Sequence, residues 1–270
     1  MSETLNLQEI LKLVHESNKE YDNTLYIPSL KDSVPIRSMN AGHLKNIIKT
    51  ATSGVFTNNK LNQAIYGIVR DVVDNISEIN VLDKLAIVLQ LRLLNVSPTI
   101  SVDLTYKDKK EELRKTEDFD LASSLESIKL KEYSFADVVI KDKQYEVTLN
   151  YPSISQEFLF DKHFDDTRIK NIDETNKEAL KELFGPLFIQ ELTQYIKTLK
   201  IGEQIINFLS LSVADRLRIM ETLPGEIVTK IINKIDKVFG KQLIDLLTVS
   251  KLIDDKVYTG TIKTDPSIFA

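Results

Sequence analysis

The chain has 270 residues, 42% of them hydrophobic and 28% charged, enough apolar material for one large domain or for a strand-containing part joined to a helical part. A formal net charge of -5 supplies no positive field for general nucleic-acid binding, and the absence of cysteine excludes disulfides, thiolate catalysis and cysteine-based metal clusters. With 8 Gly, 7 Pro, no low-complexity tract and no repeat at a period of roughly 20 to 50 residues, solenoid architectures are set aside as well.

Met1 to Tyr21 is polar and amphipathic and lacks the positive and apolar regions of a signal peptide, so residues 1–23 read as an N-terminal helix or arm. Two short apolar runs follow, Thr24 to Ser29 and Val34 to Met39, joined by the turn-forming Leu30-Lys31-Asp32-Ser33. They predict a β-hairpin. Pro28 and Pro35 lack a ladder amide, which places at least one of its strands at a sheet edge or bulge.

From Ala41 the spacing becomes helical. Leu44, Ile47, Ile48 and Ala51 form one apolar face, and after Ser53-Gly54 a second runs through Leu61, Ala64, Ile65, Ile68, Val69, Val72 and Val73. A third helix, Val81 to Val96, is apolar nearly all round and reads as the centre of the core. It carries Asp83, Lys84, Gln90 and Arg92 and is shorter than the roughly 20 apolar residues of a membrane span.

Ile100, Val102, Leu104 and Tyr106 alternate with polar residues and predict a half-buried strand. The charged run Asp108 to Asp118 reads as a solvated turn or short helix, and Phe119 to Leu130 as either a strand or a helix. A second hairpin is predicted from Val138 to Ile140 and Tyr145 to Tyr151 around Lys141-Asp142-Lys143. Residues 24–157 are thus expected to form an α+β domain with short antiparallel hairpins and three helices.

Beyond Asn171 the pattern is helical, from Leu180 through Leu192, Tyr195, Ile196 and Leu199, with a break at Gly185-Pro186. Ser212 with Asp215 marks another helix start, and Ile227, Val228, Ile231, Ile232, Ile235, Val238 and Phe239 form an amphipathic face. Residues 158–258 are therefore expected to be a helical subdomain. Residues 259–270 form a tail whose Ile262, Ile268 and Phe269 are free to dock on the domain or on a partner.

His15, His43 and His163 are widely spaced, and no phosphate loop, nucleophile elbow or H-E-x-x-H helix occurs. Asp161, His163, Asp165 and Asp166 have the chemistry for a divalent cation in a hydrolase. Beside Phe158, Phe160 and Phe164, and with Lys162 and Arg168 to pair with, they read as a solvated loop pinned by aromatics. The expectation is a protein-binding protein without catalytic residues, cofactor or metal.

The order of several short segments carries a resemblance. Ile27-Pro28-Ser29, Val34-Pro35-Ile36-Arg37, Lys45-Asn46-Ile47-Ile48, Leu91-Arg92, Ser97, the strand to Tyr106, Tyr151-Pro152-Ser153 and Ser267-Ile268-Phe269 follow one another along most of the chain. In this order they resemble the baseplate-hub family of T-even-type contractile-tail bacteriophages. Pro98-Thr99 departs from the Gly-Glu that family members often carry after the serine.

The resemblance implies a virion structural subunit that binds other baseplate-hub proteins, and the tape-measure protein as a further partner, during tail assembly. Nucleic acid and membrane are not expected partners, and self-association stays open. The implied location is the virion tail baseplate, or the host cytoplasm during assembly. An assembly chaperone that leaves the particle is the first alternative, and a divalent-cation-dependent hydrolase the second. Arg37 and Arg92 are the first positions carried over as interface or scaffold residues, followed by Pro28, Tyr151, Pro152, Ile268 and Phe269.

Overall fold

The computed structural model describes residues 23–37, 39–51, 57–73, 79–108, 111–169, 177–264 and 268, together with Gln8 and Lys12. The remainder of the expected N-terminal arm, the Ser53-Gly54 break and Phe269 lie outside the described residues.

The first hairpin forms as expected from β1 (Asn23–Ile27) and β2 (Asp32–Ile36), a two-stranded sheet in which Pro35 sits on an edge. Helices α1 (Ala41–Ala51), α2 (Thr57–Val72) and α3 (Val81–Asn95) follow. Asn80 caps α3 by accepting from Leu82 N and Asp83 N at 2.9 and 3.1 Å, while Asp83 accepts from Asn80 N at 3.1 Å. Eleven consecutive or near-consecutive residues of α3, Val81 to Arg92 without Leu85, are buried.

Polar groups inside α3 survive burial by pairing with the hairpin's backbone. Gln90 accepts from Tyr26 N at 2.6 Å and donates to Tyr26 O at 2.8 Å, completing the free side of β1. Asp83 accepts from Ser29 N and Ser29 Oγ at 2.9 and 2.7 Å.

After α3 come β3 (Thr99–Lys107), β4 (Glu112–Asp120), α4 (Leu121–Leu130), β5 (Val138–Asp142), β6 (Tyr145–Leu149) and α5 (Ile154–Thr167). The remaining elements are α6 (Lys177–Glu182), α7 (Phe184–Thr193), β7 (Ile196–Ile201), β8 (Gln204–Asn207), a 3-10 turn (Phe208–Ser210), α8 (Val213–Thr222), α9 (Gly225–Lys234), a π-helical turn (Ile235–Gly240), α10 (Lys241–Leu247), β9 (Thr248–Ile253) and β10 (Lys256–Thr261). Ser212 caps α8 through Asp215 N, as its spacing predicts.

Two antiparallel four-stranded sheets result, ordered β4-β3-β10-β9 and β5-β6-β7-β8. The chain is thus α+β, but its later half is not purely helical: β7, β8, β9 and β10 lie there. The predicted helix through Leu199 ends at Thr193, and Thr259–Thr261 of the expected tail belong to β10. The charged run contains strand β4 where a turn or short helix was expected, and Leu121–Leu130 is helical.

Each four-stranded sheet joins hairpins from either side of residue 158, itself inside α5. Gly260 permits one of these unions. A Cβ there would lie 2.5 Å from Asp103 O and 2.8 Å from Leu104 Cδ2, so β10 can settle on β3 only without a side chain. Long side chains then bridge the sheet's two edge strands, Lys251 to Glu117 at 2.5 Å, while Lys115 reaches Asp254 of the β9–β10 turn at 3.0 Å. The turn is built by Asp254 and Asp255, both at positive φ (50° and 59°), as a two-residue hairpin requires.

Candidate partner-binding groove

Those of the residues singled out by the family resemblance that the structure describes sit at joints of the fold. Pro28 is buried and its carbonyl accepts from Lys31 N at 3.3 Å, closing the first turn. Arg37 N donates to Val72 O at 3.0 Å and its guanidinium to Asp71 O at 3.4 Å, tying the end of β2 to α2. Arg92 is buried and donates to the carbonyls of Ile268 and Thr99, so α3 holds the C-terminal segment and the start of β3 together. Ile268 is itself buried.

Tyr151 meets the Phe239 ring edge-on, with centroids 4.7 Å apart, and Pro152 O accepts from Val81 N at 3.1 Å. Burial holds the Tyr151 hydroxyl well above the ordinary tyrosine range. These side chains serve the scaffold.

The acidic segment around Asp161 is helical, not the solvated loop its composition suggests. On α5, Asp161 turns toward Gln190 of α7, while Asp165 accepts from Gln63 of α2 at 2.6 Å. His163 instead lines a separate 310 Å³ pocket with Arg168 and Arg218. Among the described residues, no group of three His, Asp or Glu side chains is placed to hold a metal ion. His43, in the first turn of α1, lies 3.4 Å from Asp71, and His15 lies outside the described residues.

A groove of about 410 Å³ opens where α3, α5, α7, α9 and α10 converge. Its floor holds Lys84, whose ammonium reaches both Glu157 oxygens at 2.5 and 2.7 Å and Asn62 Oδ1 at 3.0 Å. Lys84 and Glu157 are nearly enclosed, with side chains 8% and 15% exposed. Apolar walls come from Leu85, Tyr195, Ile232, Ile235 and Leu243, and Glu191 and Asp236 add acidic groups.

Phe188 lines this groove while 45% exposed, and Phe184, one helical turn earlier, is 66% exposed. An i, i+4 aromatic pair beside an apolar cleft, with carboxylates around it, is suited to receiving the apolar face of another polypeptide. The helical spacing from Leu180 onward carries its expected break at Gly185-Pro186, and a new helix starts there at Phe184, turning Leu192 and Gln190 inward and leaving Phe184 exposed.

Among the described residues, no helix is long and apolar enough to cross a membrane. Comparisons with protein-family models, curated proteins and solved structures give no match.

Proposed function

We propose that this protein is a non-enzymatic subunit of a contractile-tail baseplate hub that binds a neighbouring hub protein through the groove lined by Phe188, with Phe184 exposed one helical turn away. The observation that carries this reading is the pairing of two exposed phenylalanines with an open apolar cleft on a charged surface. A monomer gains nothing by leaving such rings in water, whereas central aromatic anchors dominate binding energy at interfaces.

The ordered sequence resemblance supplies the partner class. Its matched segments include Arg37, Arg92 and Pro152, which join distant parts of the chain, so selection for the same scaffold would retain them in that order. The same groove would serve an assembly chaperone that releases its client, and the composition of the finished particle separates the two roles.

Binding should depend on the groove. Co-expression with the other tail proteins, followed by capture and titration of the hub partner recovered, should give a dissociation constant at least tenfold weaker for Phe188→Asp, an anchor-sized loss. Leu252→Asp, on the remote β9–β10 hairpin, should bind as the wild type does. Equal binding by wild type and Phe188→Asp would exclude the groove.

A further inference from the structure

Asp161 and Gln190 face each other across the packing of α5 on α7 and are 4% and 1% exposed. Gln190 Nε2 donates to Asp161 Oδ1 at 3.5 Å. The other oxygen of each group, Asp161 Oδ2 and Gln190 Oε1, is buried without a hydrogen-bond partner. Two buried acceptors left unpaired on contacting side chains are unfavourable.

One proton removes both defects. A neutral aspartic acid has an O–H that can donate to an amide oxygen while its carbonyl oxygen accepts from the amide nitrogen. We infer that Asp161 and Gln190 form a proton-dependent latch, a carboxylic acid–amide pair that fixes α7, and with it the Phe188 wall of the groove, against α5.

The surroundings favour the neutral acid. Glu157 and Asp165, on α5 itself, oppose a further negative charge. From α3, Lys84 favours ionisation, but its ammonium is already engaged by Glu157 and Asn62; from α2, Asn62 hydrogen-bonds the Asp161 carboxyl. On α7 the nearest charged neighbour in sequence is Glu191, and Tyr195 follows beside Glu157. On α8, Arg216 spends its guanidinium on the carbonyls of Leu209 and Leu211 and lies over Phe160. Burial, reinforced by Glu157, pushes the Asp161 carboxyl up to about 8.

The sign of the linkage follows. Between the ordinary value of 3.8 and about 8, the folded protein keeps a proton that the unfolded chain has released. Stability from the latch is therefore complete at acid pH, falls as pH rises through that window, and is gone above it. Asp161→Asn replaces the neutral acid by an amide that can also donate to Gln190 Oε1, without titrating.

The test is urea unfolding of full-length wild type and Asp161→Asn from about pH 5 to about pH 9, with infrared spectra of the wild type over the same range. The ratio of wild-type to variant folding constants should fall about tenfold per pH unit up to about pH 8 and then level off. A neutral-carboxyl C=O band should be present near pH 6 and lost on the same titration. A ratio independent of pH, or no band at pH 6, would overturn the latch. If the variant does not fold, the infrared titration alone decides. Neither measurement involves a partner, so failure here leaves the groove reading intact.

Discussion

Lys84→Met is expected to destabilise the protein by about 3–5 kcal/mol, because it removes one member of an enclosed ion pair and strands the other. The Lys84 side chain is 8% exposed, and its ammonium holds both oxygens of Glu157 as well as the side-chain oxygen of Asn62. Methionine keeps the length of the stem but leaves Glu157 facing the carboxyl of Asp161 without an intervening cation. Much of this loss belongs to the stranded carboxylate. The double variant Lys84→Met/Glu157→Leu should therefore recover most of the stability, and denaturant titration of the two singles and the double measures the difference. A double variant as unstable as Lys84→Met would contradict the assignment.

The second large effect is expected at Asp83→Ala, a loss of about 3 kcal/mol in the same assay. Asp83 is fully buried and binds three groups at once: Ser29 N at 2.9 Å, Ser29 Oγ at 2.7 Å and Asn80 N at 3.1 Å. Alanine would remove half of the α3 capping box and leave the Ser29 and Asn80 amides without their acceptor. Burial raises the Asp83 carboxyl above its ordinary value, opposed by hydrogen bonds from Ser29 and Asn80, so ionisation is a cost that an amide avoids. Asp83→Asn, which retains one accepting oxygen, should consequently lose less than Asp83→Ala.

What could be read from the chain depended on whether neighbours in sequence decided burial. Helix α3 announces itself because nearly every side of it meets core, and β3 because Val102 and Leu104 point inward while Ser101 and Asp103 stay wet. Strand β4 hides the same alternation. Two of its inward positions are Lys115 and Glu117, whose charges are met by Asp254 and Lys251 from the far end of the chain.

Strand β7 imitates a helix for a different reason. Its pairing with β6 shifts register between Thr148 and Leu149, so the buried Ile196 and Leu199 stand three residues apart instead of two. No local pattern could expose the β10–β3 union, which depends on the missing side chain of Gly260.

The groove and the Asp161–Gln190 pair were illegible for the same physical reason. Lys84, Glu157, Phe188, Ile232 and Leu243 come together only after five helices converge, and each alone resembles an ordinary core or surface position. Asp161 lies in an acid-rich segment that looks solvated until α2, α3 and α7 enclose it. Of the residues that carry the resemblance, Pro28, Arg92, Tyr151, Pro152 and Ile268 are buried, and Arg92 donates to the Ile268 carbonyl across the chain, a contact no local pattern reveals.

Whether the protein works as a hub subunit is most directly tested by quantitative mass spectrometry of purified phage tails. The proposal predicts that its peptides are present in a fixed ratio to those of the other hub proteins. Absence from finished particles, despite abundance in the infected cells that made them, would contradict a structural subunit and leave the assembly-chaperone role.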